Sequence, residues 1–268
     1  RPLEDPQVVM LLVSGLENTG EFLQAQKLLE QSAVDLNGNA ELAAMCVTRF
    51  WQRQQADQIE PLLESVDLDS DQTPMELLGV WALTLLQQER TEALDEQLDR
   101  LRGRVDRPDA EAWVQLIECL RRWRDSGAHE VVGDLTAITN RFPGNPYFQY
   151  YLGRAHLEVG EMTLGLRAFS EATRRAPAWG EPPLNAARLA MSLGMQQEAL
   201  RFSMAAMARA PQRVRAASNL AVVWAEYLRV QEADSDQPTE TFEVRQFASR
   251  ERLLQLLEQI HAAVPHEP

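Results

Sequence analysis

Residues 146–177 read PYFQYYLGRAHLEVGEMTLGLRAFSEATRRAP, and this stretch decides the fold. It holds two runs of helical periodicity parted at Gly160, which supplies a turn. Pro177 cannot continue a helix, so the second run ends before it. Gly153 in the first run and Gly165 in the second are small enough to let two antiparallel helices approach closely. Phe169 then fills the space between this hairpin and the next.

The pattern returns every 34 residues. One step forward, Gly194, Ala199, Ala206 and Pro211 take the places of Gly160, Gly165, Ala172 and Pro177. A further step reaches Leu220, Ala221 and Trp224 on a leading helix that begins near Val214. One step back gives a degenerate unit at Ala112, with Cys119 at the small position, Ser126 in the turn and Leu135 at the aromatic position. Nearer the N-terminus, Pro6 to Asn39 matches through Leu12, Leu16, the Asn18-Thr19-Gly20 turn, Ala25 and Leu29. Units also fit at Ala40 and Pro74, and a four-residue insertion at Arg107–Ala110 restores the later frame.

Leu152, Gly153, Phe169, Ala172 and Pro177 stand at the offsets of the tetratricopeptide motif, so the chain resembles that family over about 230 residues. The resemblance implies an all-α, right-handed α-solenoid of six to seven helical hairpins, with units starting near 6, 40, 74, 112, 146, 180 and 214 within residues 1–230. Residues 231–241 (QEADSDQPTET) are acidic and poor in apolar side chains, which predicts a loop. In residues 242–264, Phe247, Leu254, Leu257, Ile260 and Val264 share one helical face, which predicts a helix capping the last apolar surface. Asp67–Pro74 (DLDSDQTP) reads as a second acidic loop, with Thr73 and Pro74 opening the next helix.

Composition narrows the function. A net charge of −14 and a pI near 4.8 argue against nucleic acid and anionic membranes as partners. No apolar run approaches the roughly 20 residues that a membrane span needs. Arg1 in place of an initiator Met points to a trimmed or mature chain. Cys46 and Cys119 are far apart in apolar helical contexts and read as buried thiols. His129, His156, His261 and His266 show no metal-ligand spacing, and His156 takes a packing position between helices. The acidic clusters at Glu64–Asp71 and Asp234–Asp236 lack the central Gly of a calcium loop. With no nucleophile elbow, phosphate loop or dinucleotide motif, the expectation is a non-enzymatic chain without metal or cofactor.

In tetratricopeptide arrays the leading helices line a concave groove. The resemblance therefore offers Tyr147, Tyr150, Tyr151 and Arg154 from the unit at 146, Asn185 and Arg188 from the next, and Arg215 and Asn219 from the last. Asn185 and Asn219 stand one repeat apart, similar to the asparagine ladders with which such arrays grip an extended peptide, because an amide both donates and accepts. Arg154, Arg188 and Arg215 would favour an acidic peptide or a free carboxylate. The carboxylate clamp of chaperone-binding members carries Lys and Asn where this chain has Tyr150 and Arg154. Trp113, Leu116, Ile117 and Trp123 of the preceding unit read as packing residues. The expectation is an interaction module binding an extended peptide or partner helix. A homo-oligomeric scaffold, or a helper domain of a larger enzyme or secretion complex, remain open beside it.

Overall fold

A computed structural model describes residues 5–233, apart from 34, 35, 37, 105 and 210–213. Among them every regular element is helical. The helices pair into hairpins of the tetratricopeptide type: α1 (Pro6–Asn18) with α2 (Phe22–Ser32), α3 (Ala40–Gln52) with the short α4 (Ile59–Leu63), and α5 (Met75–Gln87) with α6 (Thr91–Arg102). They continue as α7 (Pro108–Ser126) with α8 (Val132–Arg141), α9 (Pro146–Glu158) with α10 (Met162–Arg175), and α11 (Glu181–Ser192) with α12 (Gln196–Arg209). Helix α13 (Val214–Ala233) packs on α12 and α11. It runs three residues into the stretch read as the acidic loop. The rest of that loop and the expected capping helix lie outside the described residues.

Local sequence sets the boundaries. The side chains of Asp5, Asn39 and Asn145 accept backbone N–H bonds at the starts of α1, α3 and α9, and prolines open α1, α7 and α9. Three of the four inserted residues, 108–110, form the N-terminal turn of α7, and Arg107 is the residue that precedes it. Thr73 does not cap α5, which begins at Met75 after Pro74. Its hydroxyl instead donates to the Asp67 carbonyl at 2.7 Å and ties the acidic loop shut.

Each of the six hairpins turns through one residue of left-handed φ. Gly20, Gly127, Gly160 and Gly194 do this at +73° to +86°, while Gln54 and Glu89 do it at +60° and +57°. In the fourth hairpin the turn falls to Gly127, because Ser126 is still the last residue of α7. A side chain in that conformation costs roughly 1–2 kcal/mol, a strain absent from the glycine-turned hairpins.

Helix packing relies on small residues. A Cβ built on Gly153 would stand 2.9 Å from the Phe169 ring, and one on Gly165 would stand 3.1 Å from Leu189 Cδ1 and 3.2 Å from the Gly153 carbonyl. Gly79 is tighter: its Cβ would lie 2.0 Å from Trp113, whose indole lies flat against the bare backbone of α5.

The array does not leave an open inner wall. Helix α5 is buried on nearly every side, from Met75 through Leu85 with Glu76 excepted. At the next layer, Trp51 at the end of α3 meets Tyr147 of α9 and Trp179 edge-on, each with ring centroids 5.3 Å apart. Trp113 reaches the same Tyr147 at 5.4 Å, and the Gln52 amide donates to the Tyr147 hydroxyl at 3.2 Å across 95 residues of sequence. The first hairpin is held to α3 by Glu17, whose buried carboxylate accepts two hydrogen bonds from Arg49 at 2.6 and 2.7 Å. Arg209 of α12 stacks 5.6 Å from the Phe22 ring of α2, so the array also meets itself further along.

Two substitutions test this packing. Gly79→Ala forces a methyl into the Trp113 ring and lowers stability by about 2–3 kcal/mol, read as a melting-temperature drop of roughly 5–10 °C. Glu89→Gly relieves a left-handed side chain whose exposed partner Arg124 is 4.0 Å away, and raises stability by up to about 1 kcal/mol in urea unfolding.

Candidate functional site

The structure separates the expected groove residues into different environments. Tyr147 is fully buried and Tyr151 nearly so, and burial pushes both phenols above their ordinary range. They build the wall and present nothing to a ligand, which corrects their placement on a binding surface. The reason lies in units 40, 74 and 112: their leading helices put Trp51, Leu78, Gly79, Ala82, Trp113, Leu116 and Ile117 inside, so helices close over the space an open superhelix would leave. Trp113, Leu116 and Ile117 are thus core residues.

Tyr150, Arg154 and Asn185 come together in one surface cleft of about 450 Å³, lined also by Gln54, Gln87, Trp123, Leu157, Glu158 and Glu181. Tyr150 is half-buried, with its ring 4.5 Å from Trp179 and 5.4 Å from Tyr151. The Arg154 guanidinium lies over two rings, 5.5 Å from Trp123 and 5.9 Å from Tyr151. Trp123 is therefore a cleft residue as well as a packing one. Its indole donates to Glu158 Oε2 at 2.9 Å, and the other oxygen of Glu158 accepts from the Ala128 backbone at 3.1 Å. Gln54 reaches Glu181 at 3.5 Å.

The other expected residues lie elsewhere. Arg188 is exposed on α11 but does not line the cleft. Arg215 falls in the first turn of α13, and its side chain is outside the described residues. Asn185 donates to the Glu181 carbonyl at 3.0 Å, while Asn219 accepts from the Ser203 hydroxyl at 3.0 Å. Each amide thus makes one hydrogen bond within the array, and Asn185 also lines the cleft.

Sequence reasoning missed Gln54, Gln87, Glu158 and Glu181 as lining residues. Gln54 did carry a signal, since it occupies the turn position that holds Gly20, Gly160 and Gly194 in sister units. Strain of this kind tends to be kept where a side chain is needed. A larger cleft of about 610 Å³ lies between α7 and α8, but its charges are already matched: Arg122 with Asp134, Arg121 with Asp95 and Glu118 with Arg102. Among the described residues no group of three His, Cys, Asp or Glu is placed to hold a metal ion, and no helix is long and apolar enough to cross a membrane. His156 packs with its Nδ1 2.6 Å from Glu161. Burial pushes the Cys46 thiol up to about 12 and raises Cys119 as well, so neither is poised as a thiolate.

Replacing Tyr147 by Phe deletes the hydrogen bond from Gln52 without touching the cleft. The expected outcome is a loss of about 1 kcal/mol in chemical unfolding, with the cleft's ligand affinity unchanged.

No protein-family profile matches this sequence, and no curated protein does. Solved structures with a likeness include a crystal structure of MamA, 12% identical, covering 65% of this chain and 95% of that one at a TM-score of 0.45. A MamA double mutant is 12% identical over 70% of this chain and 93% of that one, with a TM-score of 0.46. The C-terminal part of a TPR repeat-containing protein from Cytophaga hutchinsonii is 11% identical over 96% and 95%, with a TM-score of 0.44. Likeness at this level adds nothing to the fold assignment, which rests on the hairpins themselves.

Proposed function

We propose that this chain is a protein–protein interaction module that holds one short segment of a partner in the cleft formed by Gln54, Gln87, Trp123, Tyr150, Arg154 and Asn185. The observation that carries this reading is convergence. Five successive units each send hydrogen-bonding or aromatic side chains to one mouth, in a fold whose inner wall is otherwise packed with apolar and aromatic residues. Tyr150 and Trp123 supply rigid apolar area, the amides and Arg154 supply directional bonds, and Leu157 lies on the rim. Such a mixture of aromatic anchor and polar surround suits a binding hot spot. A long groove gripping an extended peptide is not supported, because Trp51, Trp113, Tyr147 and Trp179 occupy that volume.

The test is affinity capture with the immobilised chain, comparing wild type with Arg154→Ala/Asn185→Ala. The double variant should lose the specific partner by tenfold or more, with helical content and melting temperature retained. A variant that retains the same partner at the same level removes the cleft from the function.

A further inference from the structure

The first helix of the array keeps an apolar face in water. Val8, Leu11, Leu12 and Gly15 stand at i, i+3, i+4 and i+7 of α1, which puts them on one side of the helix. The same repeat positions in the unit at 146 hold Phe148, Tyr151, Leu152 and Ala155, all of them buried. There the preceding hairpin helps to cover them: Phe148 meets Trp113 of α7 edge-on at 5.2 Å and Phe142, just past α8, at 6.1 Å. On α1, Leu11 is 73% exposed, more than any other large apolar side chain among the described residues, and Leu12 is 44% exposed.

Charge and shape identify what covers this face. The only charged side chain of α1 is Glu17, and it is buried against Arg49. Among the described helices α1 alone exposes no charged side chain. Two copies of a chain with a net charge of −14 repel each other, and at α1 they can touch without bringing carboxylates together. The shape of the face is reciprocal. Leu11 stands out one turn before Gly15, and a Cβ built on Gly15 would meet nothing within 4 Å. Where two antiparallel α1 helices are related by a twofold axis, each Leu11 lies over the other copy's Gly15, which is the self-complementarity that such a contact requires.

We infer that α1 is a self-association surface, on which a second copy of this chain lays its own α1 antiparallel over Val8, Leu11, Leu12 and Gly15. The inference stands apart from the cleft, none of whose lining residues belongs to α1. A helix of 13 residues is about 20 Å long and about 10 Å across, so the contact covers less than the roughly 800 Å² per partner of a standard stable interface. The dimer is accordingly weak, with a Kd on the order of 10 μM.

Sedimentation velocity of the full chain at physiological salt, over concentrations from well below to well above about 10 μM, should show monomer passing to dimer. Leu11→Glu, which places a charge in the apolar contact, should weaken the dimer by about tenfold or more. Its melting temperature should stay unchanged, because Leu11 is largely in water already. If Leu11→Glu melts early, Leu11→Ser is the readout. Gly15→Cys should join two copies through a short bismaleimide, since a twofold contact sets both new thiols at one interface while Cys46 and Cys119 are buried. Glu92→Cys, on the exposed face of α6, should not. A wild-type chain that stays monomeric throughout overturns the inference. So does a dimer that the Leu11 substitution leaves intact. A dimer that the Leu11 substitution breaks but Gly15→Cys fails to cross-link overturns it as well, because that contact is not α1 against α1.

Discussion

A helix without a polar side cannot lie on a surface, and α5 is such a helix. The segment MELLGVWALTLL offers water little beyond Glu76, so burial has to come from neighbours on every side. Transfer of each large apolar side chain from water contributes about 1.5–3 kcal/mol, and no arrangement that left one face of α5 in an open groove would retain that gain. The surrounding units satisfy this demand. Trp113 lies on the bare backbone at Gly79, and α3 and α7 pack on either side. The layer of Trp51, Tyr147 and Trp179 then seals the interior, its edge-on and tilted ring pairs adding roughly 0.5–1.5 kcal/mol each beyond area.

The position of the cleft follows from that closure. Once the middle of the inner wall is filled, polar residues of the leading helices can meet solvent together only at the ends of those helices. Gln54, Gln87, Trp123 and Glu158 gather there although they come from four different units.

The hairpins were legible because glycine, alanine and proline recur at fixed spacing, and each recurrence has a local cause: a left-handed turn, a close helix crossing, a helix stop. Gly160, Gly165 and Phe169 do what their positions imply. The curvature of the array was not legible in the same way, because it depends on which leading-helix positions are apolar. Leu78, Gly79 and Ala82 mark a face that open arrays leave to ligands, and Trp113, Leu116 and Ile117 carry the same mark one unit on. Weak motif matches at 40, 74 and 112 were therefore informative: units that face a filled interior lose the usual residues. Tyr147 and Tyr151 were placed on the correct helix and the correct side, but that side had become interior. Glu181 and Gln87 could not be assigned to one cleft from sequence, since nothing local records that distant units converge.

Stacked-hairpin proteins ordinarily behave like a row of dominoes, each tile touching only the next, so tiles can be lost from an end with little effect on the others. The Arg209–Phe22 stack and the Gln52–Tyr147 bond join tiles that are not adjacent in the row. Contacts of this kind couple hairpins that a simple row would leave independent, so the loss of one tile is felt beyond its immediate neighbours.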